Sequence, residues 1–245
     1  MKNGRKKQEQ IHLGAHGEDY GNWMPVSMLQ LVGGLAVLAA VLSLLSLAVF
    51  HITALGVVFV IAALLLLALL LWITWIRRQY AFGSGGMMEQ VHQVVLSHLD
   101  FDGQGQLLDV GCGSGALSIR AALTWRAAQV VGIDYWGSAY GYGQAMCEKN
   151  AASEGVAARC RFQHGDANKL DFPDESFDAV VSNYVYHNIT GADKRALLQE
   201  TLRVLKKGGV FALNDEMKHH MYGDMEAFAQ ELRDIGYEDV RLIDT

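Results

Sequence analysis

No Lys, Arg, Asp or Glu occurs between Met24 and Ile76. A single helix of that length would measure roughly 80 Å at 1.5 Å per residue, and a bilayer core is about 30 Å thick. One crossing cannot use that length; two can. The most polar spot near the middle is His51–Ile52–Thr53. We therefore expect helices over about residues 28–50 and 54–76, joined by a very tight turn. A cleaved signal peptide has a shorter apolar core, followed by a cleavage site and a polar chain. A buried hairpin would keep one polar face, and "ALLLLALLLWITWI" at 63–76 has none.

Other absences narrow the function. Three cysteines, Cys112, Cys147 and Cys160, form no C-x-x-C pair. That argues against a zinc site or a disulfide framework and suits a reducing compartment. No metal site is expected. Residues 77–245 carry 16 basic against 23 acidic side chains, so the footprint of a nucleic-acid partner is missing. Internal repeats and long low-complexity segments are absent as well.

The flanks of the apolar stretch orient it. Lys2, Arg5, Lys6 and Lys7 precede it, and Arg77 and Arg78 follow it. Positive charge stays on the cytoplasmic side, so both termini and the remaining domain are expected in the cytoplasm, on a two-helix membrane anchor. Trp72, Trp75 and Tyr80 stand where an interfacial aromatic belt would lie. Gly33 and Gly34 would let the two helices approach closely. The expected organisation is an N-terminal segment over 1–23, a transmembrane hairpin over 24–78, a linker over 79–86 with "GSGG" as a flexible joint, and a soluble domain over 87–245.

In that domain strand-like and helix-like runs alternate. Strands are expected at Gln106–Val110, Gln129–Ile133, Arg159–Gln163, Phe177–Ser182, Val210–Leu213 and Asp239–Ile243. Helices are expected near 115–124, 138–153, 191–205 and 224–235, after an amphipathic helix that begins at Met87. The alternation predicts a doubly wound, mostly parallel Rossmann-like sheet with helices on both faces. Ligands of such sheets sit at the carboxyl ends of the strands. Four strands end in polar or glycine residues: Asp109 with Gly111, Gly113 and Gly115; Asp134; Gly165–Asp166; and Ser182–Asn183.

Each has a chemical use. Glycines at 111 and 113 remove a Cβ and permit positive φ, so a ligand can approach the backbone. Asp134 lies 21 residues after Gly113, a separation at which a carboxylate can accept both hydroxyls of a ribose. Tyr135 offers a face to an adenine ring. The Asp166 carboxylate and the Ala167 N–H suit its polar edge. "LLDVGCGSGA" (107–116) alone leaves two nucleotides open. Gly111, Gly113 and Ala116 fit a dinucleotide fingerprint, whereas the acid and three glycines fit a methyl-donor loop.

Four blocks together resemble one family: "LLDVGCGSG" (107–115), "VVGIDYW" (130–136), "FQHGDANKLDFPDESFDAVVSNYVYHN" (162–188) and "LQETLRVLKKGGVFALND" (198–215). In order and spacing they are similar to the class I S-adenosylmethionine-dependent methyltransferases, small-molecule branch, over roughly residues 87–243. The resemblance implies S-adenosylmethionine as cofactor. It places Asp109 and the 111–115 loop against the methionine moiety, Asp134 on the ribose, Asp166 and Ala167 around the adenine, and Asn183 near the methionine end. His187 is the candidate general base if the acceptor must lose a proton, and Tyr184 and Tyr186 are candidates to line the acceptor pocket. The N-P-P-[YF] motif of planar-amine methyltransferases is missing from "SNYVYHN", which points away from nucleic acid and protein glutamine. The family's last, seventh strand has no counterpart where the sequence stops at "VRLIDT", so either the sequence is truncated or the sheet edge is open. With the hairpin, the expectation is a membrane-anchored methyltransferase acting on a small, lipophilic acceptor. The competing readings are an inactive cofactor-binding module and an NAD-type oxidoreductase.

Overall fold

A computed structural model describes residues 14, 18–22, 24–82, 86–137 and 141–244. The basic residues 2–7 and the joint at 83–85, both used above, lie outside the described residues, as does the expected start of a helix at 138. The chain divides into two compact units, one of residues 20–91 and one of residues 92–244 with the N-terminal residues through Asp19.

The first unit is a helical hairpin. Helices α1 (Val26–Ala48) and α2 (Thr53–Gln79) are both long and apolar enough to cross a membrane by length and composition. The turn between them is tight because His51 takes a left-handed φ of 54°, an uncommon choice for a non-glycine residue. The buried Ser43 donates its hydroxyl to the carbonyl of Gly56 at 3.1 Å, so a polar group inside the pair is satisfied. Gly33 faces α2, where a Cβ would sit 3.8 Å from Leu70, whereas Gly34 faces open space. At the other end Arg77 donates to the carbonyl of Met24, and Asn22 donates to the carbonyl of Arg77 at 2.9 Å. The outer surface is apolar: Leu31, Val37, Leu44, Leu65 and Leu71 are each more than 60% exposed.

The second unit is a five-stranded parallel sheet. Its strands are β1 (Gln106–Val110), β2 (Gln129–Asp134), β3 (Cys160–His164), β4 (Phe177–Asn183) and β5 (Leu205–Asn214), in the order β3-β2-β1-β4-β5. Helix α3 (Met87–Ser97) precedes the sheet. Helix α4 (Ala116–Thr124) links β1 to β2, α5 (Gln144–Ser153) links β2 to β3, and α6 (Lys194–Val204) links β4 to β5. Right-handed crossovers running outward in both directions from β1 place α4 and α5 on one face and α6 on the other. The central strands are therefore covered on both sides and read as continuous apolar runs: Leu107, Leu108, Val110, Ala179, Val180 and Val181 are all fully buried. The charged "CRFQH" of β3 follows from its place at one edge.

β5 forms the other edge, and among the described residues no strand pairs beyond it. Helices α7 (His219–Tyr222) and α8 (Met225–Asp234) follow. The expected sixth strand at 239–243 is irregular. A strand exists through its ladder bonds, and here the carbonyl of Val240 is taken by the Arg233 guanidinium at 2.6 Å. The helix expected from 138 begins at Gln144.

The central strands should dominate the stability of this unit. Leu107→Ala, in a site with no exposed surface, is expected to cost about 2–5 kcal/mol. Denaturant unfolding of the detergent-solubilised chain checks it; a cost under about 1 kcal/mol would mean that the sheet is not the core.

Candidate cofactor and acceptor site

The strand order reverses between β1 and β4, so their carboxyl ends part and leave a crevice. The β1 end enters it as a loop of left-handed glycines: Gly111, Gly113 and Gly115 have φ of 76°, 56° and 83°. At Gly111 a Cβ would lie 2.3 Å from Val185, so alanine is excluded sterically as well as conformationally. At Gly113 there is room, with the Tyr142 ring 3.6 Å from a Cβ. The loop thus presents backbone without a Cβ at Gly113, facing the Tyr142 ring.

The loop satisfies itself. The N–H groups of Gly111 and Cys112 both donate to Ile133 O, at 2.8 and 2.9 Å, and Gly115 N–H donates to Cys112 O at 2.8 Å. Gly113 N–H donates to Asp134 Oδ2 at 2.8 Å. Asp134 Oδ1 accepts from Trp136 N–H at 2.7 Å, and the Trp136 indole donates back to Gly113 O at 2.8 Å. Cys147 Sγ lies against the same carbonyl at 3.2 Å. These amides are thus committed inward. A pyrophosphate-binding loop keeps its N–H groups for phosphate oxygens. The arrangement instead suits a ligand that needs little anion binding, a nucleoside with a sulfonium. Each Asp134 oxygen has accepted one bond and keeps a lone pair for a ribose hydroxyl.

Asp109 lies beneath this loop, only 1% exposed, and accepts from the Ser118 hydroxyl of α4. The expected contact with a methionine moiety therefore meets an enclosed carboxyl that supports the loop from below. Burial raises its pKa to about 7, with nearby Asp134 adding to the rise and the Ser118 bond opposing it. Tyr135 is 67% exposed, its ring 5.2 Å from that of His164. Asp166 is exposed and caps its own turn, accepting from Asn168 N–H at 2.8 Å, a bond that lowers its pKa. Ala167 is half-buried beside it.

At the ends of β4 and β5, Asn183 Oδ1 accepts from the Asn214 amide at 2.8 Å. Tyr184 takes a left-handed φ of 56°, held by its N–H bond to Asn214 O at 2.8 Å, and meets His187 edge-on at 5.9 Å. His187 Nδ1 is bonded to Asp215 Oδ1. The Asp215 side chain has no exposed surface, and it also accepts from the N–H groups of Tyr186 at 2.8 Å, His187 at 3.3 Å and Glu216 at 2.7 Å. Tyr186 is a correction to the expected pocket lining. It is fully buried, its hydroxyl bonded to Thr201, and burial pushes its pKa up. It belongs to the core.

Residues 108–213 match the methyltransferase domain family. S-adenosylmethionine is the cofactor of such a domain, and the loop, Asp134 and Tyr135 are of the right kind to hold it. The chain is 33% identical over 134 residues to 27-O-demethylrifamycin SV methyltransferase of Amycolatopsis mediterranei, covering 54% of this chain and 46% of that protein. It is 30% identical over 128 residues to sterol 24-C-methyltransferase ERG6B of Gibberella zeae, covering 52% and 32%. Among solved structures it is similar to that of the [4+2]-cyclase SpnF, at 31% identity and a TM-score of 0.45, over 51% of this chain and 43% of that one. The chain spans under half the length of these relatives.

Four residues that the structure brings to these strand ends are not singled out by the sequence: Asp215, Trp136, Ser118 and Cys147. The strand-end rule that selected Asp134 applies equally to "ALND", so Asp215 was findable. The others act through contacts distant in sequence.

Two predictions follow from this geometry. Asp134→Ala removes the acceptor for two backbone N–H groups and the ribose anchor. Affinity for S-adenosylhomocysteine should fall at least about tenfold, because a bond to a charged group contributes about 1.5–3 kcal/mol; unchanged affinity in calorimetry would refute the ribose assignment. Asp109 binds its proton more tightly folded than unfolded, so stability falls as pH rises between the ordinary value of 3.8 and about 7. Asp109→Asn lacks that titration. Its stability relative to wild type should increase from about pH 5 to about pH 8, and a constant difference in thermal unfolding would contradict the buried carboxyl.

Proposed function

We propose that the protein is a membrane-anchored, S-adenosylmethionine-dependent methyltransferase of a small, lipophilic acceptor, with His187 as the base that removes the acceptor's proton. The observation that carries this reading is the His187–Asp215 pair on the same strand-end edge as the glycine loop. Asp215 receives three backbone N–H groups, the setting of an ionised carboxylate that can only accept. His187 Nδ1 must then be the donor, which leaves the lone pair on Nε2.

When bound, the cofactor supplies an electrophilic methyl group on a sulfonium. The domain's part is to align an acceptor atom with it, which supplies much of the rate. As the acceptor gains its bond to carbon, His187 Nε2 takes the proton and Asp215 stabilises the imidazolium. Tyr184, edge-on to His187, borders the acceptor. A hydroxyl, whose proton must leave, fits this arrangement.

The membrane part of the reading rests on α1 and α2. Their exposed leucines and valines would be costly in water and ordinary in lipid. Arg77 and Arg78 end α2, and with Lys2, Arg5, Lys6 and Lys7 they support a cytoplasmic domain. Such an anchor holds the site near the inner leaflet, which favours an acceptor that partitions into membranes. An inactive cofactor-binding module has no use for a histidine oriented by a buried carboxylate.

His187→Ala and Asp215→Asn should each lower kcat about 10²–10⁴-fold while leaving S-adenosylhomocysteine affinity unchanged. The assay is transfer of a deuterated methyl group to a membrane lipid extract, read by mass spectrometry. No labelled product from the wild-type protein would favour the inactive module, and full activity of His187→Ala would remove the base. The anchor has its own test: the protein should stay with membranes through an alkaline carbonate wash, and release into the supernatant would contradict membrane spanning.

A further inference from the structure

Asp215 has one more donor beside it than it can serve. Its side chain has no exposed surface. Oδ2 accepts the N–H groups of Tyr186 and His187, and Oδ1 accepts that of Glu216 and the His187 ring. A carboxylate offers about four lone-pair sites, so none is left. Tyr222, the last residue of α7, is 1% exposed, and its hydroxyl has no hydrogen-bond partner among the described residues. Burial, and then the Asp215 carboxylate beside it, push its pKa up. A buried O–H thus stands next to an acceptor that is already full.

The two side chains that compete for Asp215 differ in freedom. The Tyr222 ring is packed in the core with Tyr186, Leu197 and Phe228, and its backbone N–H is held by Lys218 O at 3.0 Å. The His187 side chain is 20% exposed, so its ring can turn into water and keep its hydrogen bonds there. We propose that Tyr222 is a positioning residue for His187, whose hydroxyl takes the place of the imidazole on Asp215 when His187 swings out. This rests on the reading of His187 as the base. With His187 in, the imidazole is bonded and the Tyr222 hydroxyl is stranded. With His187 out, Tyr222 and Asp215 satisfy each other and water satisfies His187. A stranded buried hydroxyl is unfavourable, which brings the two arrangements close in free energy. An acceptor hydroxyl that donates to Nε2 binds the first arrangement and draws the population toward it. Tyr222 therefore makes the placing of the base depend on the acceptor. Without this rival, His187 is in place before the acceptor arrives, and the acceptor's apparent affinity is no longer reduced by the fraction that is out.

Tyr222→Phe removes one oxygen from the full chain, studied in lipid nanodiscs. In NMR of histidine-labelled protein, the Nδ1 proton resonance that His187→Ala abolishes should exchange with water about twofold or more slowly in Tyr222→Phe than in wild type. Transfer of a deuterated methyl group to a membrane lipid extract should rise about twofold or more at limiting extract, and by less at saturating extract. The variant should unfold at no lower temperature than wild type, since the lost hydroxyl had no partner. A lower unfolding temperature would mean that the hydroxyl is already bonded in the resting fold, and overturns the proposal. Equal losses of transfer at limiting and saturating extract would make Tyr222 merely structural and overturn it too. An unchanged exchange rate, with transfer still dependent on His187, removes the role of Tyr222 and leaves the base standing. Full transfer by His187→Ala removes the base itself, and the proposal falls with it.

Discussion

The carboxylate of Asp134 holds the site together. It stands at the end of β2, and its two oxygens take the N–H of Gly113 from one loop and of Trp136 from the next. The Trp136 indole closes the ring by donating to Gly113 O. The ends of the adjacent strands β1 and β2 are thus tied together by three hydrogen bonds, two of them on one acid. The Gly113 amide is turned inward as a consequence, beside those of Gly111 and Cys112, which bond to Ile133 O. A loop organised this way has few N–H groups left for a pyrophosphate and retains acceptor capacity for a ribose, which separates a sulfonium nucleoside from a dinucleotide.

Much of this was legible before any coordinates. The 53 uncharged residues told of a long helical pair, and α1 and α2 begin and end within three residues of the expected limits. Strands β1, β2 and β4 were readable because both of their faces are buried, which leaves unbroken apolar runs. β3 was one residue out of place, since an edge strand has less reason to be apolar. β5 extends back through "LKKGG" because its first residues pair with Phe177 across a bulge, something no local pattern displays. The alternation at 239–243 looked like a strand, but a strand also needs a neighbour, and Arg233 has taken the carbonyl of Val240.

The site was legible in part for a similar reason. Glycines and strand-end acids are local signals, so Gly111, Gly113, Gly115 and Asp134 could be picked out directly. Burial is not local. Asp109 and Tyr186 are the right residue types at the right spacing, yet one supports the loop from beneath and the other fills the core against Thr201. The pairing of His187 with Asp215 spans 28 residues, and it converts a lone histidine into an oriented one.

The account's central claim is that the crevice at the carboxyl ends of the strands binds a sulfonium nucleoside and not a dinucleotide. Isothermal titration of the full chain in nanodiscs, with S-adenosylhomocysteine in one cell and NADH in another, tests it most directly. The account predicts saturable one-site binding of S-adenosylhomocysteine and no heat of binding for NADH. Saturable binding of NADH, with none for S-adenosylhomocysteine, would contradict it.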